Sequence, residues 1–349
     1  MKYLIDISQR QSQKIQEYLD KGEYLSVSQF VITAIENQFN LEDNQSLPDV
    51  LKTENSNSKS HHISNPLQLT RVLELYRISD MHNFYSVIAP PRFDQIVLSS
   101  QNIDEEKIWL WGQINKIFPV KIAVRILQKN LGDKQSIELN EFLETATKEA
   151  SEIGNTIRAY EKKQNKNRGE KISAGLPGQG DEKSQSRYKF QFLVYQRKDD
   201  LLDGAMSILR FCNLERKNGK IYIGLTEGGA KFSAAINPVF DEGNLDESLS
   251  DEEIECYLNH VEKYVRSEFV AINWMLQKIG EGINERGLLN QKINEEFGNV
   301  WNTSEAVINT QRSGLIARMF ELKLIEKEKN GIYVTYSLSE KAKRFMLSN

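Results

Sequence analysis

Tyr3, Ile5 and Ile7 alternate with Lys2, Leu4 and Asp6, a strand-like period of two that predicts a short strand with one apolar face. Ser8 is placed to cap the next helix, over residues 9–21, where Ile15, Tyr18 and Leu19 share a side and Gly22 supplies the stop. Ser26 or Val27 opens a second helix carrying Phe30, Val31, Ala34, Ile35 and Phe39. Residues 42–66 are rich in Asn, Ser and charge and lack apolar periodicity, so they read as a flexible linker. Helical patterning resumes near Leu67 and runs to Lys163. Pro119 sits at the first turn of one helix there, and Leu139, Phe142, Leu143, Ala146, Ala150, Ile153 and Ile157 line another. Residues 162–187 combine glycines with lysines and read as a mobile loop. An acidic connector over 241–251 leads into one long helix expected over 252–279.

The last stretch has a distinct order. Thr303 or Ser304 caps a helix whose Val307, Ile308, Leu315, Ile316, Met319 and Phe320 are expected inside, with Thr310, Gln311, Arg312, Ser313 and Arg318 outside. Two strands then flank Asn330-Gly331, a strong hairpin signal, and a final helix starts near Ser339; residues 288–297 supply the helix before. The same order echoes upstream, with a helix over 201–211, strands around Asn218-Gly219, and Thr226-Glu-Gly-Gly-Ala-Lys-Phe after them. These units divide the body into residues 67–240, with its loop at 162–187, and residues 252–349.

Composition narrows the class. The 349 residues are 39% hydrophobic and 27% charged, ordinary for a soluble globular protein, and suffice for two or three domains. No run reaches the roughly 18 apolar residues a membrane span needs, and the N-terminus is too quickly polar for a signal peptide. Two cysteines, Cys212 and Cys256, in apolar settings fit buried thiols in a reducing cytoplasm. His61, His62, His82 and His260 have no metal-ligand spacing with them, no phosphate-binding loop is present, and no carboxylate pair stands out. Trp109, Trp111, Trp274 and Trp301 read as core or interface anchors. A non-enzyme without cofactor is the expectation. The net charge of -4 leaves room for a local basic footprint. Lys162, Lys163, Lys166, Arg168, Lys171, Lys183, Arg187, Lys189, Arg197 and Lys198 form such a run.

The strand Tyr3–Ile7 followed by Gly22-Glu-Tyr-Leu-Ser-Val-Ser-Gln-Phe-Val-Ile-Thr-Ala-Ile resembles the ribbon–helix–helix family, the CopG, Arc and ParD-like regulators and antitoxins. The resemblance covers residues 1–41. It implies a homodimer through Tyr3, Ile5, Ile7, Phe30 and Ile35. It also implies DNA contact by Lys2, Leu4 and Asp6 in the major groove, and a phosphate held near Ser26, Val27 and Ser28. The two hairpin units resemble winged helices, which implies DNA contact by Arg216, Lys217 and Lys220 and by Arg312, Arg318, Lys327, Lys329 and Asn330. The fold expected is therefore mainly α: a ribbon–helix–helix followed by two winged-helix-like α+β domains. The function expected is a dimeric, cytoplasmic, sequence-specific regulator bound to double-stranded DNA. Two alternatives stand beside it: an antitoxin-like or complex subunit bound to a protein partner, and a plasmid replication or partition factor.

Overall fold

The computed structural model describes residues 71–80, 86–330 and 333–348, together with residues 12, 13, 15, 16 and 27. The chain divides into two compact units, residues 1–62 and 63–349, a division that falls inside the segment read as a linker. In the first unit Ser12, Gln13, Ile15, Gln16 and Val27 are helical, Ile15 buried and Val27 exposed. The expected strand and the residues tied to it, Lys2, Tyr3, Leu4, Ile5, Asp6 and Ile7, lie outside the described residues, as do Ser26, Ser28, Phe30 and Ile35.

The second unit is mainly helical with small sheets. Its central helix, α1 (Phe118–Leu131), begins with Pro119 in the first turn, where a missing amide costs nothing. After it come β1 (Ile137–Glu138) and the 25-residue α2 (Leu139–Lys163), close to the span its periodicity predicts. Then follow α3 (Glu182–Gln191), β2 (Tyr195–Gln196), β3 (Leu202–Asp203) and the short α4 (Ala205–Ile208). β4 (Cys212–Lys217) and β5 (Lys220–Leu225) form an antiparallel hairpin in which Lys217 faces Lys220. Asn218 and Gly219 turn it with φ of 51° and 76°, the left-handed pair that a two-residue hairpin turn requires. β1 pairs with β5, Ile137 opposite Ile223, so the sheet order is β1-β5-β4. α5 (Glu227–Ala234) starts on a Thr226 cap, and α6 (Pro238–Asp241) on an Asn237 cap.

The second half repeats this logic. α7 (Asp251–Tyr264) opens on a Ser250–Glu253 capping box and is followed by α8 (Arg266–Gly280). The single helix expected over 252–279 is two helices, because buried Val265 leaves the helical region at φ -131°, ψ 72°. Glu285 makes an antiparallel bridge to Thr335, then come α9 (Arg286–Trp301) and α10 (Glu305–Glu321). β6 (Ile325–Asn330) and β7 (Tyr333–Leu338) pair antiparallel, and α11 (Glu340–Ser348) closes the unit.

Other expectations are corrected. Residues 86–117 hold no α-helix among the described residues but a series of 3₁₀ turns, Phe93–Gln95, Val97–Gln101 and Glu105–Lys107. Residues 201–211 are a strand and a single helical turn, not one helix. Gly204 sits between them at φ 89°, where a side chain would overlap the Leu193 carbonyl. The segment 162–187 is hydrogen-bonded to α2 at several points. Glu161 accepts from the Ser173 amide at 2.9 Å, and Arg158 donates to the carbonyls of Leu176 at 3.2 Å and Pro177 at 2.6 Å. α3 occupies its end.

The bodies expected over 67–240 and 252–349 are one compact unit with one continuous apolar core. The clamp is the stretch before α1. Trp109, 1% exposed, packs on Trp274, Phe297 and Trp301 with ring centroids 5.2–5.3 Å apart. Gly112 lies so close to α10 that a Cβ on it would overlap the Thr310 carbonyl, and a Cβ on Gly314 would overlap the Gly112 carbonyl. The Ile117 amide donates to the Glu321 carboxylate at 2.5 Å.

Charge is buried at the same junctions. Lys121, on the buried face of α1, donates to the carbonyls of Phe232 at 2.6 Å and Ala235 at 2.8 Å and pairs with Glu253 at 2.8 Å. It thereby satisfies carbonyls at the C-terminal end of α5 that the helix itself leaves open. One turn on, Arg125 binds the carbonyls of Tyr76 and Ala235 and the carboxylate of Asp241, at 2.8–3.3 Å.

Candidate nucleic-acid interface

α3 is set in place from both ends. Arg158 orders the turn before it through the Leu176 and Pro177 carbonyls, and Asp181 caps it by accepting from the Ser184 amide at 3.1 Å. Tyr188, 1% exposed, is its inward anchor: the ring packs on Phe192, and the hydroxyl donates to the Pro119 carbonyl at 3.3 Å. The opposite stripe, Lys183, Ser186, Arg187 and Phe190, is exposed at helical spacing. From Lys183 to Lys198 the sequence contains five basic residues and no acid.

α3 runs into the β2–β3 hairpin, whose turn carries exposed Arg197 and Lys198. Exposed Phe190 meets Tyr195 edge to face, centroids 5.1 Å apart. The β4–β5 tip reaches the same turn, since Arg216 lies 3.6 Å from Asp200. Lys217 pairs with Glu215 at 2.7 Å and donates to Ser136 at 3.2 Å, and Lys220 pairs with Glu138 at 2.8 Å. The Glu138 hydrogen bond holds the Lys220 ammonium above its usual range. The result is a continuous surface: α3, then the β2–β3 turn, then the hairpin tip. Its exposed ion pairs are weak enough to yield to phosphate.

The C-terminal candidates separate. Lys327 and Lys329 are exposed on β6, but Glu326 and Glu328 are exposed beside them and cancel their charge. Asn330 ends β6 opposite Tyr333. Arg312 and Arg318, expected outside, are 7% and 0% exposed. Arg318 is clamped by Glu268 in a two-pronged pair, both contacts 2.7 Å, and also donates to the Ile114 carbonyl at 2.5 Å. Arg312 donates to Ser313 at 3.1 Å, and its Nε is buried without a partner. The physical reason is a rotation of α10 about its axis relative to the expected register. Gly314 faces the 109–115 stretch, where only a glycine permits the close approach, which turns Gln311 and Arg318 inward and leaves Val307 and Phe320 exposed. The exposed stripe of α10 therefore carries no cation.

Sequence reasoning gave the α3 cations as part of a longer basic run able to grip phosphates and did not single out Phe190 and Tyr195. The signal was the acid-free stretch from Lys183 to Lys198. Elsewhere, among the described residues no group of three or more His, Cys, Asp or Glu is placed to hold a metal ion, and no helix is long and apolar enough to cross a membrane. His260 is buried, with Nε2 2.7 Å from the Leu209 carbonyl; burial pushes its pKa down to about 4. Cys212 is buried and Cys256 half-buried, and both are free thiols. No family model, no curated protein and no solved structure matches the chain.

Proposed function

We propose that the chain is a regulator that binds double-stranded DNA through α3 and the β4–β5 hairpin, paired with a second copy by its N-terminal ribbon–helix–helix segment. One observation carries this reading: the order α1–β1–α2–α3–β4–β5, interrupted after α3 by the β2–β3 hairpin and the single-turn α4, with strands arranged β1-β5-β4, and cations on both α3 and the β4–β5 hairpin. Apart from that insertion the order is that of a winged helix, in which the last long helix before the wing enters a groove and the wing grips the flanking backbone. Lys183 and Arg187 lie on the exposed stripe of α3, and Arg216, Lys217 and Lys220 surround the wing tip. α8, the Glu285 bridge, α9, α10 and the β6–β7 hairpin have the same order, but the cation-free stripe of α10 supports a role in protein contact for that half.

The test is the salt dependence of DNA binding by the full-length protein. Each cation that neutralises a phosphate contributes about 0.9 to the log–log slope on duplex DNA. Arg187→Ala and Arg216→Ala should each flatten the slope by about that amount where they touch phosphate, and Lys327→Ala should leave it unchanged. Absence of binding to any duplex at low salt would overturn the reading in favour of a protein-interaction module.

A further inference from the structure

We infer that Phe190 and Tyr195 form a stacking platform for an unpaired base, so that this face takes DNA whose strands are locally open in preference to a closed duplex. The inference rests on the DNA-binding reading of α3 and adds to it what the aromatic pair does.

Large apolar side chains are normally withdrawn from water, and Tyr188 and Phe192 beside them are 1% and 2% exposed. Phe190 and Tyr195 are instead 54% and 38% exposed, and they hold each other edge to face at 86°. The geometry is fixed by neighbours: α3 is anchored by Tyr188, and Tyr195 is held in the β2–β3 ladder opposite Asp203. The pair thus presents a solvent-exposed aromatic surface on two anchored elements.

What it receives is indicated by the charge around it. Arg187 lies one turn before Phe190 on the same stripe, and Arg197 and Lys198 follow Tyr195; Asp199 and Asp200 share that turn, Asp199 3.7 Å from Arg197 in an exposed pair that phosphate can displace. Aromatic rings set among cations are the arrangement that tracks a single strand, the cations on phosphates and the rings on bases. A base inside a closed duplex has its faces covered by its neighbours and cannot use such a platform; a base in an opened stretch can. Each base stacked on an aromatic side chain contributes enough for roughly a tenfold preference.

The experiment uses the full-length protein, a fluorescent mixed-sequence 30-mer duplex, and the same duplex with a central bubble of unpaired thymines and one 2-aminopurine. The bubble should bind about tenfold tighter than the duplex, with 2-aminopurine fluorescence quenched on binding. Phe190→Ala with Tyr195→Ala should bring the bubble down to the affinity that the same variant shows for the duplex and abolish the quench, while the salt slope, which the cations set, stays unchanged. Phe190→Tyr should keep both. Phe190 is 54% and Tyr195 38% exposed, and an unchanged urea midpoint together with the retained salt slope reports an intact fold. Equal wild-type affinity for bubble and duplex would overturn the platform and leave the DNA-binding reading standing. Loss of self-association in the double variant with the bubble preference intact would make the pair a protein contact and would also overturn it. No binding to either probe at low salt would overturn the DNA-binding reading itself, and the platform with it.

Discussion

Arg318 and Glu268 are both removed from water, and each would be costly alone. The two-pronged pairing and the Ile114 carbonyl give each guanidinium nitrogen a partner, so the pair holds α10, α8 and the stretch before α1 in one register. Breaking such a pair leaves a stranded charge. Arg318→Ala should therefore lower stability by about 3–5 kcal/mol in urea denaturation while leaving the DNA salt slope untouched. A change in slope without loss of stability would mean that the guanidinium reaches solvent. His260 gives a pH signature. Its folded pKa is depressed to about 4 by burial, against about 6.5 in an unfolded chain. The unfolded state then takes up the proton first, so stability from neutral His260 is present above pH 6.5 and is lost as pH falls toward 4, about 3 kcal/mol in all. The difference in urea stability between wild type and His260→Gln should be flat above pH 6.5 and fall below it; a flat difference down to pH 4 would show a solvated imidazole. None of these burials was legible beforehand. Lys121 and Arg125 are i, i+4 on one helix, and what takes them inside is a set of carbonyls and carboxylates 49 to 132 residues away in sequence.

At the scale of elements, legibility followed the range of the forces. The β4–β5 turn was readable because Asn218-Gly219 adopts positive φ at little cost, and the start of α1 because a proline acts within one turn. The face of α10 was not readable, because Gly314 gives no side-chain signal and its partner Gly112 lies far off in the chain. Two glycine substitutions separate these effects. Gly314→Ala must push α10 off the Gly112 backbone and should cost about 1–3 kcal/mol or more. Gly287→Ala, in the first turn of α9 with open space around it, should be neutral or stabilise by up to about 1 kcal/mol. Thermal or urea midpoints read both; equal effects would mean that the glycine contact is not tight.

For the whole molecule, the repeated order of helices and hairpins invites a division into independent bodies, and the stretch before α1 removes it. Residues 63–349 share one core that runs from Leu73 to Ala342. Unfolding followed by circular dichroism should accordingly show a single transition for this unit, since neither half can leave without exposing the other's apolar face. Two separated transitions would mean that the clamp holds too weakly to couple the halves. The chain has four tryptophans, and three of them, Trp109, Trp274 and Trp301, meet at that clamp, with the Trp301 indole donating to the Lys107 carbonyl at 2.7 Å. The molecule thus carries its own optical gauge. Its near-ultraviolet dichroism and tryptophan emission report chiefly on whether the two halves are docked, so any effector or DNA that loosens the junction would register as a spectral change without a label.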